Sequence, residues 1–587
     1  MTVSTLDRRS FFKKLRKKKE ASALQDGLLK RTGSLMANLG TELPSVPAAA
    51  ATAVLNGGLD PYVGPWDFEQ AAHLIRRTMF GVRKSDADLL LSMSMEDAVD
   101  YLLDVDNTPL DPPVNNYYYE DDMNETGYLD PNVPFGDTWV NADYDEEAEG
   151  LRIESFRGWW VEQMINQDVS IKEKMLLFWH NHFATQASEV FFGKYNYNHN
   201  RKLRENALGN FKELTKIVTI DEMMLLYLNG FLNQAGDPDE NYARELQELF
   251  TIGKDNPDHY TEEDVYQAAR ILTGWTIDFS SGLPGDTIFY PFFHDQDDKQ
   301  FSAFYDNTVI QGSADGEAEL DALLDMIFVK EEVAKFIVRK VYRWFVYYNI
   351  TDQVEQDIIE PLAELFRNSN YEIKPVLETL LKSEHFFDAL NKGCFIKTPI
   401  DLVVGTLRSF NLTLPGTEPF DKFYHQYLQN ILLSGMQMVP GDPPNVAGWQ
   451  AFRQVPQYYR IWINSDTAKN RNEYTDILSF TQALESPSGD ILTMDHIAFV
   501  SQFDQPEDPN ALIDDITRLL LPQPISDLKK AVLKNILLSG LPNDSYWTVA
   551  WYDYQNNPGD PMAVEVVTVR LTILHNYILK LAEYQLA

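Results

Sequence analysis

The chain has 587 residues, of which 44% are hydrophobic and 12% aromatic. That is enough apolar surface for a large core, and it excludes disorder throughout. Fifty Lys and Arg against 88 Asp and Glu leave a net charge of −38, which excludes the basic footprint of a duplex nucleic-acid binder. The one cysteine, Cys394, excludes an intrachain disulfide framework and a four-cysteine zinc site.

Residues 1–31 hold ten Lys/Arg against three acids, and none of residues 32–75 is Lys or Arg. The run Arg8-Arg9-Ser10-Phe11-Phe12-Lys13 resembles a twin-arginine export signal. Leu15-Arg16-Lys17-Lys18-Lys19 stands where an apolar stretch should begin, and Ala48–Ala51 places a small-residue cleavage site late. Residues 1–65 are read as a basic, poorly ordered leader. The expectation is export to the periplasm or cell surface, with a plain basic tail on a cytoplasmic protein as the other reading. No uninterrupted apolar run long enough to span a bilayer is evident.

Residues 85–151 carry nineteen Asp/Glu and no Lys or Arg. Their centre, about 110–150, mixes Tyr117–Tyr119 with acids and prolines. It reads as a peripheral acidic loop inserted in one helical domain spanning 66–587, with calcium ligation as the alternative.

Helical periodicity dominates the rest. Ile171, Met175, Phe178, Trp179 and His182 form one stripe. Thr261-Glu262-Glu263-Asp264 is a capping-box pattern, with Gly274 as a stop. Val333, Phe336, Ile337, Val341 and Trp344 form a second stripe, and Leu528, Val532 and Ile536 a third, closed by Gly540. Residues 286–293 are the best strand candidate, as an edge piece or hairpin arm. The fold class predicted is mainly α: a large multi-helix unit with long loops and at most a few short strands.

Three clusters can carry chemistry. His180-Asn181-His182 can chelate a metal only if the helix ends near His180, because alternate residues on a helix diverge by about 200°. On Asn241–Ile252, Ala243, Leu246, Leu249 and Phe250 are the predicted buried face. Glu245 and Glu248 lie one turn apart, close enough to share a proton or metal, with Arg244 able to pair with Glu248. His294-Asp295, after an extended segment, offers a ligand or a general base. Converged, these give catalytic candidates Glu245, Glu248, His294 and Asp295, and metal-ligand candidates His180, His182, Glu245, Glu248 and His294. The cofactor is open, a divalent metal being the candidate.

Several segments carry a family resemblance: Ala71–Gly81, Phe178–Phe183, Leu203–Phe211, Glu240–Leu246, Leu272–Trp275, Pro443–Trp449 and Glu583–Gln585. The chain resembles the bacterial family called domain of unknown function 1800, from about Trp66 to the C-terminus. The resemblance implies a mainly helical protein, often with a twin-arginine-like start. It also implies a partner from domain of unknown function 1501, a sulfatase- or phosphatase-like family. It supplies no reaction and no catalytic residues. Two functions are therefore expected in competition. One is an exported, metal-dependent enzyme or accessory factor acting on envelope or extracellular polymers. The other is a non-enzymatic assembly or binding protein partnering a secreted hydrolase-like protein. A polysaccharide-binding module using exposed aromatics is a third.

Overall fold

The computed structural model describes residues 57–117, 130–254, 259–280, 282–412, 414, 428, 433–480 and 491–587. Arg8, Arg9 and Ala48–Ala51 lie outside these, as do Tyr118, Tyr119 and the middle of the acidic segment. The fold is mainly α. Among the described residues, sheet structure amounts to two antiparallel pairs, β1 (Trp275–Asp278) with β2 (Asp286–Phe289) and β3 (Lys299–Gln300) with β4 (Val309–Ile310). The hairpin arm expected over 286–293 forms in its first half, and Pro291 begins the turn that carries His294.

Two compact units divide the chain: Leu55–Arg471 with Gln585–Ala587, and Asn472–Tyr584. In the larger unit, helices form where the stripes require. Lys172–His182 buries Met175, Phe178, Trp179 and His182, with Ile171 as its N-cap. Glu331–Phe345 buries Val333, Ile337, Val341 and Trp344. Glu262–Ile271 starts with the expected capping box. The Thr261 hydroxyl accepts from the Asp264 amide, and the Asp264 carboxylate accepts from the Thr261 amide. Gly274, at φ +88°, turns the chain into β1. At the start of the unit, Tyr62 donates its amide to the Lys382 carbonyl, and Val63 donates to the Glu384 carboxylate.

The acidic segment is anchored at its described ends. Arg152 is buried between Asp130 and Glu149, at 3.0 and 2.7 Å, and Trp139 is buried beside them with its indole donating to Ser155. Buried acids need partners, and here one arginine serves two. Asp86 is likewise paired with buried Arg408 at 2.9 Å.

The helix predicted over Asn241–Ile252 is α only to Glu245, and Leu246–Thr251 is a π-helix. The wider turn rotates the face. Tyr242, Ala243, Leu246, Gln247 and Phe250 are buried, and Leu249 is not. Arg244 then pairs with Glu240 and Glu262 rather than Glu248, which pairs with Lys254.

In the smaller unit, Asp527–Leu537 buries Leu533, Ile536 and Leu537, while Leu528 is exposed, so the apolar face lies one step from the predicted third stripe. The helix Pro561–Leu579 has the length and apolarity of a membrane span, although no such run was expected from the sequence. Its buried residues include Val567, Leu571, Leu574, His575 and Ile578.

Candidate functional site

The helix Lys172–His182 does not stop at His180, so the two imidazoles of the H-x-H pair go different ways. His182 is buried against Phe250. Its Nε2–H donates to the Phe250 carbonyl at 3.1 Å, and its Nδ1 accepts from Lys340 at 2.9 Å. Burial beside Lys340 holds His182 well below the ordinary imidazole range, and burial beside Arg343 and Arg453 brings Lys340 down to about 7. Both ring nitrogens of His182 are engaged.

His294 and Asp295 are also met locally. His294 donates from Nδ1 to the Thr273 carbonyl at 2.8 Å, and its Nε2 lies 3.2 Å from the buried Glu319 carboxylate, which also takes Lys299 at 2.6 Å. Asp295 is gripped by the Arg270 guanidinium through two bonds of 2.7 and 2.9 Å. Burial would raise its carboxyl, but Arg270 outweighs that and holds it low. Glu245 is half-buried, and its carboxyl is raised by burial and by Glu248. No hydrogen bond, ion pair or ring contact among the described residues joins His180 to Glu245, Glu248, His294 or Asp295. Nor do any three His, Cys, Asp or Glu among them group as metal ligands. The five-residue metal site expected from the sequence is not assembled: His182, Glu248 and His294 each have a nearer partner.

His180 has different company. It is buried, its ring edge-on to Trp160 at 5.2 Å and 6.2 Å from the ring of His199. Trp160 belongs to the helix Glu149–Asn166 and His199 to Gly193–Glu205. His199 is oriented from behind: its Nδ1–H donates to the buried Asp221 carboxylate at 2.9 Å. Asp221 is itself the N-cap of the helix Glu222–Tyr227 and takes Lys202 at 2.8 Å on its other oxygen. Burial would raise Asp221, but His199 and Lys202 outweigh it and hold the carboxyl at about 2. It is therefore an anion at any physiological pH. With Nδ1 committed as donor, Nε2 is the nitrogen of His199 that carries the lone pair whenever the ring is neutral. That atom and Nε2 of His180 are both buried without a hydrogen-bond partner. Burial, with His199 and Arg157 adding, pushes His180 down to about 3, so its ring is neutral.

The segment Gly441–Trp449 lies against this centre. Trp449 sits 6.0 Å from the His180 ring, and its amide donates to the Asn181 side chain at 2.9 Å. Gly448, at φ +77°, lies so close to Asn181 that a Cβ would come within 2.4 Å of its carbonyl oxygen. Asp442 accepts from the Ser188 amide and hydroxyl and lies 3.3 Å from Arg157.

The arrangement can move a proton. A buried carboxylate fixes one imidazole nitrogen, and the opposite nitrogen is left as a base beside a second, neutral imidazole. Sequence reasoning picked His180 and missed His199, Asp221, Arg157 and Trp160. His199 lies four residues after buried Tyr195 on one helix face, which was a readable signal of burial. Its pairing with Asp221, across a helix boundary, had no periodic signature.

A family model described as "Protein of unknown function (DUF1800)" matches residues 73–586. No curated protein and no solved structure matches the chain.

Proposed function

The chain belongs to the DUF1800 family, and on that footing we propose that it is an exported helical protein performing acid–base chemistry on envelope or extracellular polymers, centred on His199. One observation carries the reading. Asp221 holds Nδ1 of buried His199 at 2.9 Å, while Nε2 of His199 and of its neighbour His180 are buried and unpartnered. An imidazole needs that backing to accept a proton in the right tautomer and to be stabilised once charged. Export rests on Arg8 and Arg9. The test is to incubate the purified protein with a panel of envelope and extracellular polymers and count new chain ends. His199→Ala and Asp221→Asn should reduce turnover at least a hundredfold, the lower range for one proton-transfer group. Cleavage of nothing in the panel, or turnover by both variants equal to that of the unsubstituted chain, rejects it.

A second reading has its own support. His182, His294, Asp295 and Glu248 are each satisfied by a local partner, as expected if the motifs are structural. The protein would then be a non-enzymatic assembly factor for a domain of unknown function 1501 partner. Co-purification of the two from cells, unaffected by His199→Ala, would favour it.

A further inference from the structure

The side chains around His180 share a deficit. Arg157 Nε and Trp160 Nε1 are obligate donors, both are buried, and neither has a hydrogen-bond acceptor. They lie one turn apart on the helix Glu149–Asn166. Trp160 is edge-on to His180, and Arg157 Nε lies 4.0 Å from where a Cβ on Gly441 would stand, on the segment that packs against His180 through Trp449. His180 Nε2 is the third orphan. Buried polar atoms in a folded chain normally have partners, so three unmet ones meeting at one residue call for an explanation.

We propose that this cluster takes an oxyanion, a carboxylate or ester sulfate or phosphate carried on the polymer, and that Arg157 and Trp160 bind it while His199 Nε2 faces a neighbouring hydroxyl or carbon acid. This rests on the proton-transfer reading above and names the substrate class for the same centre. Donors outnumber acceptors, which excludes a cationic or purely apolar ligand. Guanidinium adds charge-assisted bonding and suits planar oxyanions. The chain itself shows the chemistry: the Asp442 carboxylate rests 3.3 Å from Arg157 while taking the Ser188 amide and hydroxyl. Asp442 lies on the segment that packs against the centre through Trp449 and Gly448. A ligand oxyanion replaces that longer contact at the guanidinium and supplies the acceptors the indole and imidazole lack. The one lone pair left over, His199 Nε2, then lies beside the group bearing the charge.

The test uses the full chain and three probes, sulfate, phosphate and glucuronate, each titrated calorimetrically at constant ionic strength. Saturable binding of one equivalent of at least one probe is expected, and the preferred probe tells a carboxylate from a sulfate or phosphate. Arg157→Gln and Trp160→Phe should each weaken it tenfold or more. The second variant keeps the ring and loses only the N–H, so it decides the matter if Arg157→Gln fails to fold. No saturable binding by any probe, or undiminished binding in Trp160→Phe, overturns the inference. Asp221→Asn separates the two ideas. Anion binding with polymer turnover intact in Asp221→Asn supports the anion site and rejects the proton-transfer reading. Turnover lost in Asp221→Asn with no anion binding does the reverse.

Discussion

At the scale of single residues, Asp221 does three jobs at once. It orients His199, pairs with Lys202 and caps the helix Glu222–Tyr227. Its carboxyl is held at about 2, against an ordinary 3.8. A depressed carboxyl contributes stability that is present above the unfolded pKa and lost as pH falls through the folded one. The loss therefore falls between about pH 4 and pH 2 and amounts to about 2 kcal/mol. Asp221→Asn should cost about 3–5 kcal/mol in urea unfolding at pH 7, because it leaves Lys202 and His199 without their anion. A cost under about 1 kcal/mol would mean solvent already satisfies the pair. Gly448 makes a second residue-level test. Its left-handed φ and its approach to Asn181 exclude a β-carbon, so Gly448→Ala should displace Trp449. A shift in tryptophan fluorescence with a lowered Tm is expected; an unchanged spectrum and Tm would show that the segment has slack. Little of this was legible in the sequence. His180 stood out because histidines are scarce, but which nitrogen of its neighbour His199 is free depends on Asp221, 22 positions beyond His199, and no local pattern reports that.

Elements were more legible, because periodicity reports burial directly. The stripe of Lys172–His182, that of Glu331–Phe345 apart from the half-buried Phe336, and the capping box at Thr261 form. Reading failed where the period changed. A π-turn at Leu246–Thr251 shifts the face, exchanging Leu249 for Gln247, whose side chain accepts from the Tyr305 hydroxyl at 2.7 Å and donates to the Ala243 carbonyl at 3.1 Å. A 3.6-residue template cannot anticipate that turn. Leu246 stays in the core under either geometry, so Leu246→Ala should cost about 2–5 kcal/mol. Leu249→Ala, at a position only partly buried, should cost less than half as much. Equal costs measured by chemical denaturation would argue for a regular α-helix through Ile252.

At the scale of the whole molecule, the net charge of −38 and the buried imidazoles pull stability in opposite directions as pH falls. Removing negative charge relieves self-repulsion, but ordinary carboxylates titrate near pH 4 and stay mostly ionised above pH 5. The histidines act earlier. His73, His180, His182 and His575 are held far below the usual imidazole range by burial, and His385 and His496 are lowered as well. In the smaller unit His496 and His575 share a 2.8 Å hydrogen bond between their Nδ1 atoms, which requires at least one of them to be unprotonated there. A histidine kept neutral in the folded chain takes up a proton on unfolding below about pH 6.5. The unfolded state then binds more protons, so stability rises with pH across that window and is lost on acidification. Each strongly lowered histidine withdraws about 2 kcal/mol by pH 5. Several together approach the 5–15 kcal/mol that holds a typical domain. The imidazole effect therefore outweighs the relief of repulsion down to pH 5. Tm measured in 0.5 M salt, where surface repulsion is screened to a few ångströms, should fall steeply from pH 7 to pH 5. His575→Gln should flatten the fall in the transition of the unit that carries it. A Tm that is level or rising over that interval would mean these rings are protonated in the folded chain, and the neutral imidazole of His180 beside His199 would be lost from the centre.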